Sequence, residues 1–124
     1  RLGMKPLCLK PAVHDLVVAA VSHLPYVVAT ALAGTARSMT EHRELIELIA
    51  AGGFRDTTRV ASSSPRWGRD VVGTNREQLI EVLDLFEEQL QEIRALIDRR
   101  DLAPLEKLFT RTKTYRDALY PVKK

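Results

Sequence analysis

Residues 15–36 read DLVVAAVSHLPYVVATALAGTA, and this stretch decides the fold. Valine and alanine at positions 17–21 and 27–29 cover every direction around a helix axis, where a surface helix would show a polar stripe. We therefore predict a helix that is buried on all sides, as the central rod of a larger assembly such as a dimer. The step Ser22-His23-Leu24-Pro25 places polar atoms in the middle of this helix and is the first candidate for chemistry.

The same stretch approaches the length of about 20 residues that a membrane-spanning helix needs. His23 and Pro25 in its middle, Asp15 at its start and the charged remainder of the chain argue against a span, so we expect no membrane contact. No cleavable signal peptide fits, because the apolar run starts late. The single Cys8 excludes an internal disulfide framework, and we expect a cytoplasmic protein.

The composition is that of one globular domain. The chain has 124 residues, of which 45% are hydrophobic, so it can support a core. The net charge is only +3, with 19 basic residues interleaved among 16 acidic ones, and this pattern gives no support for nucleic-acid binding. Because the sequence begins Arg1-Leu2-Gly3 without an initiator methionine, we expect a piece of a longer protein.

The segment before the long helix differs from the rest. Residues 5–10, KPLCLK, alternate between apolar and polar side chains and are bounded by Pro6 and Pro11, which predicts a short strand. A lone strand needs a partner, so we assign residues 1–11 to the end of an upstream domain and residues 12–124 to a helical domain. Apart from this orphan strand, the fold class predicted is all-α.

Helix boundaries follow from capping patterns. Ser38 with Glu41, and Thr74 with Glu77, have the spacing of capping boxes and predict two helix starts. The pair Gly52-Gly53 predicts the end of the first of these two helices. A Ser-Pro step at residues 64–65 predicts a further short helix, and Asp101 is the predicted cap of the last one.

The last two helices are predicted to form an antiparallel pair. The helix from residue 75 to residue 99 has apolar side chains spaced alternately four and three apart, which is typical of a helix–helix seam. Its seam positions are Leu79, Leu83, Phe86, Leu90, Ile93 and Ile97. The last helix continues the rhythm with Leu105, Leu108, Thr112, Tyr115 and Leu119, so the two helices should close as an αα-hairpin.

Two places are candidates for a functional site. A histidine in an apolar helix, such as His23, is either a hydrogen-bonded core residue or a ligand-binding one, and Ser22 beside it either bonds its own helix or faces the same site. The polar segment FRDTTRVASSS offers Arg59, whose guanidinium can grip a carboxylate through two parallel hydrogen bonds. Arg55 and Asp56 lie close enough in sequence to steer it, although a solvated charged turn has the same composition.

Other kinds of site find no support in the residues. His14-Asp15 has no further metal ligands at suitable spacing, and His42 belongs to a charged surface helix, so we predict no metal site. No glycine-rich dinucleotide motif, phosphate loop or CxxC pair occurs. The residues alone therefore predict a helical, dimeric domain with one polar cleft.

Three segments in order resemble the C-terminal helical domain of the prephenate/arogenate dehydrogenase family of tyrosine biosynthesis. They are HDLVVAAVSHLPY at 14–26, GGFRDTTRVASSSP at 52–65, and Asn75 ahead of the long helix. The resemblance covers nearly the whole chain. It implies an all-α domain that forms a homodimer and whose nucleotide-binding half lies upstream.

The resemblance also implies the activity. The full protein would decarboxylate prephenate oxidatively to 4-hydroxyphenylpyruvate, or arogenate to tyrosine, with NAD or NADP as the hydride acceptor and tyrosine as a feedback inhibitor. The catalytic histidine and the cofactor site would lie in the upstream domain, and neither is expected in this chain. By position, His23 matches a histidine that lines the substrate pocket, Arg59 an arginine that binds a substrate carboxylate, and Asp56 an acid of an ionic network at the pocket edge. Ser22 and Arg55 stand beside them.

Two residues depart from the family pattern. Many members have a second histidine where this chain has Tyr26, and many have a tryptophan where this chain has Gly68. The PRWG sequence at 65–68 is closer to the pattern of arogenate-using members, so the choice between the two acids stays open. Two readings of another class are a free-standing helical interaction module and an independent small-molecule-binding regulatory domain.

Overall fold

The computed structural model describes residues 7–121, and every regular element in that range is helical. The α-helices are α1 (Pro11–Val18), α2 (Leu24–Ser38), α3 (Arg43–Ile49), α4 (Gly52–Thr58), α5 (Pro65–Thr74), α6 (Arg76–Asp98) and α7 (Leu102–Leu119). The all-α prediction is confirmed. Of the predicted strand, residues 7–10 have no regular structure, because no second strand lies among the described residues to pair with them, and Lys5 and Pro6 lie outside the described range.

A π-turn joins α1 to α2. It spans Ala19–His23, and α1, the π-turn and α2 together form one continuous helix, Pro11–Ser38. The N–H of Leu24 donates to the carbonyl of Ala19, five residues back. A proline inside a helix has no N–H, and its ring crowds the carbonyl four residues back, so the wider turn accommodates Pro25. The effect of Pro25 on the long helix is thus a π-turn just before it.

The chain divides into two compact units, of which the first ends at Leu83. The small core of this unit is centred on the π-turn. Ala19 is fully buried against Leu79 and Val82 of α6, and half-buried apolar side chains of the long helix surround them. Because alanine is small, the start of α6 approaches the π-turn closely.

The long helix is not buried on all sides in the single chain. Only Ala19 and Ala29 of α1, the π-turn and α2 are buried, and Val21 is 71% exposed. Because the prediction places this helix inside a larger assembly such as a dimer, its burial on all sides stays a prediction. By length and composition alone this one helix, with a mean hydropathy of 1.9, is long and apolar enough to cross a membrane.

Both predicted capping boxes are wrong, for one reason. Ser38 and Thr74 each end a helix, and their hydroxyls donate to backbone carbonyls of their own helices, at Thr35 and Asp70. A 3₁₀ turn (Thr40–His42) then precedes α3, and Asn75 precedes α6.

The two glycines at positions 52 and 53 also have a different place. They open α4 instead of ending α3, which stops at Ile49, and the extended residue between the two helices is Ala51. Beyond α4, a 3₁₀ turn (Arg59–Ser62) carries Arg59 of the polar segment FRDTTRVASSS. The Ser64-Pro65 start of α5 is confirmed, although the serine side chain forms no capping hydrogen bond.

The second unit, from Asp84, contains the rest of α6 and α7. The turn between these helices is a Schellman motif: the N–H of Asp101 donates to the carbonyl of Leu96, and the N–H of Arg100 to that of Ile97. Asp101 stands before α7 as predicted, but its carboxylate accepts from Arg99 Nε at 3.0 Å and caps no backbone N–H.

The domain boundary predicted near Pro11 stays a prediction.

The predicted seam on α6 is right in part: Leu79 is buried and Leu83, Phe86 and Ile93 are half-buried, as the seam requires, whereas Leu90 and Ile97 are exposed. The other buried side chains of α6 are Val82 and Leu96, each one residue before a predicted seam position. In α7, Leu108 is buried, whereas other predicted seam residues are exposed. These exposed side chains are Tyr115 and Leu119. A spacing of three and four residues can start with either interval, so the spacing does not decide which of two adjacent apolar residues faces the core. The packing against neighbouring residues decides it.

Arg100 provides a test of the Schellman turn. Its φ of 58° lies in the left-handed region, which costs a side-chain-bearing residue about 1–2 kcal/mol. Arg100→Gly removes that cost against an entropic penalty of about 0.5–1 kcal/mol, so we expect the free energy of unfolding to rise by about 0.5–1 kcal/mol in urea denaturation. Arg94→Gly, inside α6, should lower it by about 1 kcal/mol. Equal losses in the two variants would contradict the assignment.

Candidate functional site

The π-turn presents Ser22 and His23 at the point where the long helix is widest. Pro25 forces this local geometry, and π-turns inside α-helices often mark functional sites. His23 is half-buried, whereas Ser22 is exposed. Within residues 7–121 the hydroxyl of Ser22 forms no hydrogen bond, so the structure does not show the bond to its own helix that was one alternative.

Asn75, which lies just before α6, contacts the π-turn and the residues next to it. It is only 7% exposed and is the one buried polar residue of the described chain. Its Nδ2 donates to the carbonyl oxygen of Asp15 at 2.8 Å and lies 3.3 Å from His23 Nδ1. The Asp15 carbonyl also accepts from the N–H of Ala19, at the start of the π-turn. The His23 imidazole therefore belongs to a cluster of polar groups together with Asn75 and the Asp15 carbonyl.

Aromatic rings form the wall beside His23. Trp67 of α5 packs edge-on against His23, with ring centroids 6.4 Å apart, and against Tyr26, with centroids 5.2 Å apart. Gly68 makes room for the Tyr26 ring: a Cβ at this position would lie 2.5 Å from the tyrosine hydroxyl oxygen and 2.6 Å from Cε1. The two departures from the family pattern, Tyr26 and Gly68, are thus in direct contact.

Arg59 lies on the 3₁₀ turn that packs against α2, the helix that follows His23. Its side chain is exposed and forms no ion pair with the residues that the structure describes. A guanidinium without an internal carboxylate partner is free to bind an external anion. Arg55 and Asp56 of α4 lie 3.5 Å apart as an exposed ion pair with each other.

The structure therefore brings some predicted site residues together and leaves others apart. His23 and Ser22 share the π-turn, and Arg55 pairs with Asp56. In the described range, no hydrogen bond or ion pair joins Arg59 to His23 or to Asp56. No group of three metal-ligating side chains is present among residues 7–121.

An apolar cavity lies apart from these residues. It has a volume of about 360 Å³ and is lined by residues of α2, α3 and α4 and of the segments between them, including Met39, Ile46 and Phe54. None of the predicted site residues lines this cavity.

Three residues of this site have no functional role in the sequence-based prediction: Asn75, Trp67 and Tyr26. In the sequence, Asn75 stands out only as a residue ahead of the long helix, although a lone asparagine at a helix start is itself a signal for a cap or a tertiary hydrogen bond. No local pattern could have paired it with His23, because the two residues are far apart in sequence. Only the packing of α6 on the π-turn brings them together.

Fold and site together define an all-helical domain organised around one apolar helix with a π-turn that carries a histidine, and an exposed arginine lies on a 3₁₀ turn that packs against the same helix. Residues 10–111 match the family model described as prephenate dehydrogenase, dimerization domain. The chain belongs to this family.

Curated relatives are whole dehydrogenases. The chain is 35% identical over 111 residues to the prephenate dehydrogenase of Bacillus subtilis, covering 90% of this chain and 30% of that protein. It is 42% identical over 89 residues to the cyclohexadienyl dehydrogenase of Zymomonas mobilis, covering 71% of this chain and 30% of the relative. The chain thus spans about a third of the length of the curated relatives it matches.

Solved structures have the same fold. The arogenate dehydrogenase of Synechocystis superposes with a TM-score of 0.90 at 32% identity, over 95% of this chain and 43% of the other. The prephenate dehydrogenase of A. aeolicus, in complex with hydroxyphenyl propionate and NAD+, superposes with a TM-score of 0.82 at 33% identity, over 90% of this chain and 39% of the other.

The contact between Tyr26 and Gly68 can be tested by adding one methyl group. Gly68→Ala forces the Tyr26 ring away from Trp67, so we expect a loss of about 1–3 kcal/mol in unfolding free energy and a changed emission of Trp67, the only tryptophan. Gly73→Ala in the same helix meets nothing within 4 Å and should be neutral or stabilising. In a Tyr26→Ala background the cost of Gly68→Ala should vanish. A cost that persists there would refute the contact.

Proposed function

We propose that this chain is the substrate-side and dimerisation domain of a prephenate dehydrogenase. The whole protein would carry out the NAD(P)-dependent oxidative decarboxylation of prephenate to 4-hydroxyphenylpyruvate in tyrosine biosynthesis. The family match over residues 10–111 is the observation that carries this proposal. The complex of the A. aeolicus relative with hydroxyphenyl propionate and NAD+ supports it, because that ligand is an aromatic acid.

The roles of this chain's residues are binding and orientation. Prephenate has two carboxylates, and Arg59, which has no ion-pair partner within the described range, is suited to bind one of them through paired hydrogen bonds. His23, held by Asn75, lines the substrate pocket, and Ser22 stands beside it. Arg55 and Asp56 form an ion pair at the pocket edge. Fixing the dianion against the reactive groups contributes to the rate by positioning.

The cofactor is proposed to bind mainly outside this chain. A dinucleotide is usually cradled by a glycine-rich turn between a strand and a helix, and residues 7–121 contain no strand. NAD or NADP supplies the hydride acceptor when bound. The catalytic histidine is likewise proposed to lie in the nucleotide-binding domain, so this chain alone should be inactive.

Arogenate is the second candidate substrate. The Synechocystis arogenate dehydrogenase superposes with a TM-score of 0.90, and the PRWG sequence at 65–68 resembles the pattern of arogenate-using members. Arogenate carries an amino acid group in place of the keto acid of prephenate, so the two differ by one ammonium charge. Kinetics with both acids distinguish these candidates.

The partner we propose for the apolar helix is a second copy of the chain. Val17 and Val21 are exposed in the single chain, and the family model describes a dimerization domain. We further propose a cytoplasmic protein that binds no membrane and no nucleic acid, with tyrosine as a candidate feedback inhibitor.

Arg59 is the residue whose removal tests substrate binding. Arg59→Ala in the complete protein should lower kcat/KM for the preferred acid by about 30–1000-fold, because about 2–4 kcal/mol of charge-assisted hydrogen bonding is lost. Arg59→Lys keeps the positive charge but loses the two parallel N–H donors of the guanidinium, so kcat/KM should fall by less than in Arg59→Ala but still measurably. The fold should be unchanged by circular dichroism.

Arg43→Ala is the matched control. Arg43 pairs with Glu47 on the surface of α3, so this variant should have ordinary kinetics. Unchanged kinetics in Arg59→Ala would remove Arg59 from the site. Absence of dehydrogenase activity with both acids in the unmodified complete protein would contradict the proposed function and favour a helical interaction module or a regulatory domain.

The dimer can be tested without activity. Light scattering at tens of micromolar should give twice the mass of one chain, and Val21→Glu, which buries a charge against the partner helix, should shift the mass toward that of one chain. A monomer before any substitution would contradict the proposal. Recovery of the chain with lipid vesicles in a flotation assay would instead favour a membrane-bound helix.

A further inference from the structure

We propose that Asn75 is a positioning residue that holds His23 in the tautomer with its proton on Nε2. The juxtaposition that carries this inference is the pair of contacts made by one amide nitrogen: Nδ2 to the Asp15 carbonyl oxygen at 2.8 Å and to His23 Nδ1 at 3.3 Å.

The orientation of the amide follows from Asp15. A backbone carbonyl only accepts hydrogen bonds, so the side-chain atom of Asn75 that faces it must be the NH₂ group. The alternative orientation would place the amide oxygen of Asn75 against the carbonyl oxygen, in a site where Asn75 is only 7% exposed. The backbone of the long helix therefore fixes which end of the asparagine faces the histidine.

The tautomer of His23 follows from the amide. The NH₂ group has two hydrogens and no lone pair to accept with, so it can donate one hydrogen to the Asp15 carbonyl and the other to His23 Nδ1, which lie 2.8 and 3.3 Å away. Because that hydrogen needs a lone pair, Nδ1 must be unprotonated, and the proton of the neutral imidazole must lie on Nε2. Nε2 has no hydrogen-bond partner among residues 7–121, so its N–H is available to a ligand.

The ring is also held in place by packing. Trp67 lies edge-on to the imidazole, with an interplanar angle of 77°, and limits its rotation. Asn75 and Trp67 lie in the same compact unit as the π-turn. The result is an oriented donor at the surface of the long helix, which suits a substrate carboxylate or carbonyl oxygen and does not suit a cation.

The consequence for substrate binding rests on the proposed function, whereas the tautomer itself does not. If His23 lines the substrate pocket, an Nε2–H donor binds an oxygen of the acid. Reversing the tautomer would turn that donor into a lone pair facing an anion. The test therefore has one measurement on the imidazole and one on the reaction.

The first measurement is long-range ¹H–¹⁵N NMR of the full chain with labelled histidine at about pH 8, where a free imidazole is neutral. The chain has three histidines, and His14→Gln and His42→Gln variants assign the signals, since both of those residues are exposed. We expect His23 to show a protonated Nε2 and an unprotonated Nδ1. A signal from the Nδ1–H form, or an averaged mixture of the two forms, would overturn the proposal without any variant.

Asn75→Asp tests the cause. The carboxylate has nearly the same volume and is an equally good residue before a helix, so α6 should still begin at Arg76, while loss of the hydrogen bond to the Asp15 carbonyl should lower the free energy of unfolding. Because a carboxylate accepts at Nδ1, the proton of His23 should move to Nδ1. Gln78→Glu makes the same amide-to-carboxylate change one turn along the helix and should leave the tautomer unchanged. A tautomer that is unchanged in Asn75→Asp would overturn the role of Asn75.

The second measurement is the kinetics of the complete protein with prephenate and arogenate. Asn75→Asp should raise KM for the preferred acid by about 10–100-fold, with a smaller change in kcat, and Gln78→Glu should not. A reversed tautomer with an unchanged KM would overturn the link to substrate binding and leave the tautomer supported. Absence of activity in the unmodified protein would count against the proposed function alone.

Discussion

The hydrogen bond from the Asn75 amide to the Asp15 carbonyl joins α6 to the long helix, and the candidate site depends on this contact. It connects the start of α6 to the helix turn before the π-turn, and it lies beside the small core of Ala19, Leu79 and Val82. A buried amide that lost its acceptor would cost about 1–3 kcal/mol, so this contact specifies how α6 meets the long helix as well as stabilising it.

The π-turn explains why this contact forms where it does. Pro25 removes a hydrogen-bond donor from the helix, and the chain responds with one wider turn immediately before it. That turn carries both a fully buried alanine, Ala19, and the histidine of the candidate site. Core packing and site geometry therefore have a common cause in one proline, and α6 could not approach a larger residue at position 19 as closely.

The sequence was sufficient for the features that depend on local chemistry. The helical class and the Ser-Pro start of α5 both follow from short patterns, and the structure confirms them. Features that depend on competition between local patterns were predicted wrongly. Ser38 and Thr74 can each cap the next helix or bond back to their own, and the second arrangement prevails. The phase of the α6 seam likewise depends on which face meets the neighbouring helices, because Val82 and Leu83 are equally apolar.

The site shows the same division. His23 and Arg59 were recognisable from residue type and position, but the partners that orient the histidine come from distant parts of the chain. Tyr26 and Gly68 illustrate the point, since each is a separate departure from the family pattern in sequence, whereas in space they are one feature. The phenol ring occupies the volume that any Cβ at position 68 would need, and it packs on Trp67 as a result. A side chain at position 68 would require a smaller residue at position 26, so the two positions are expected to change together, and neither substitution alone preserves the aromatic wall beside His23.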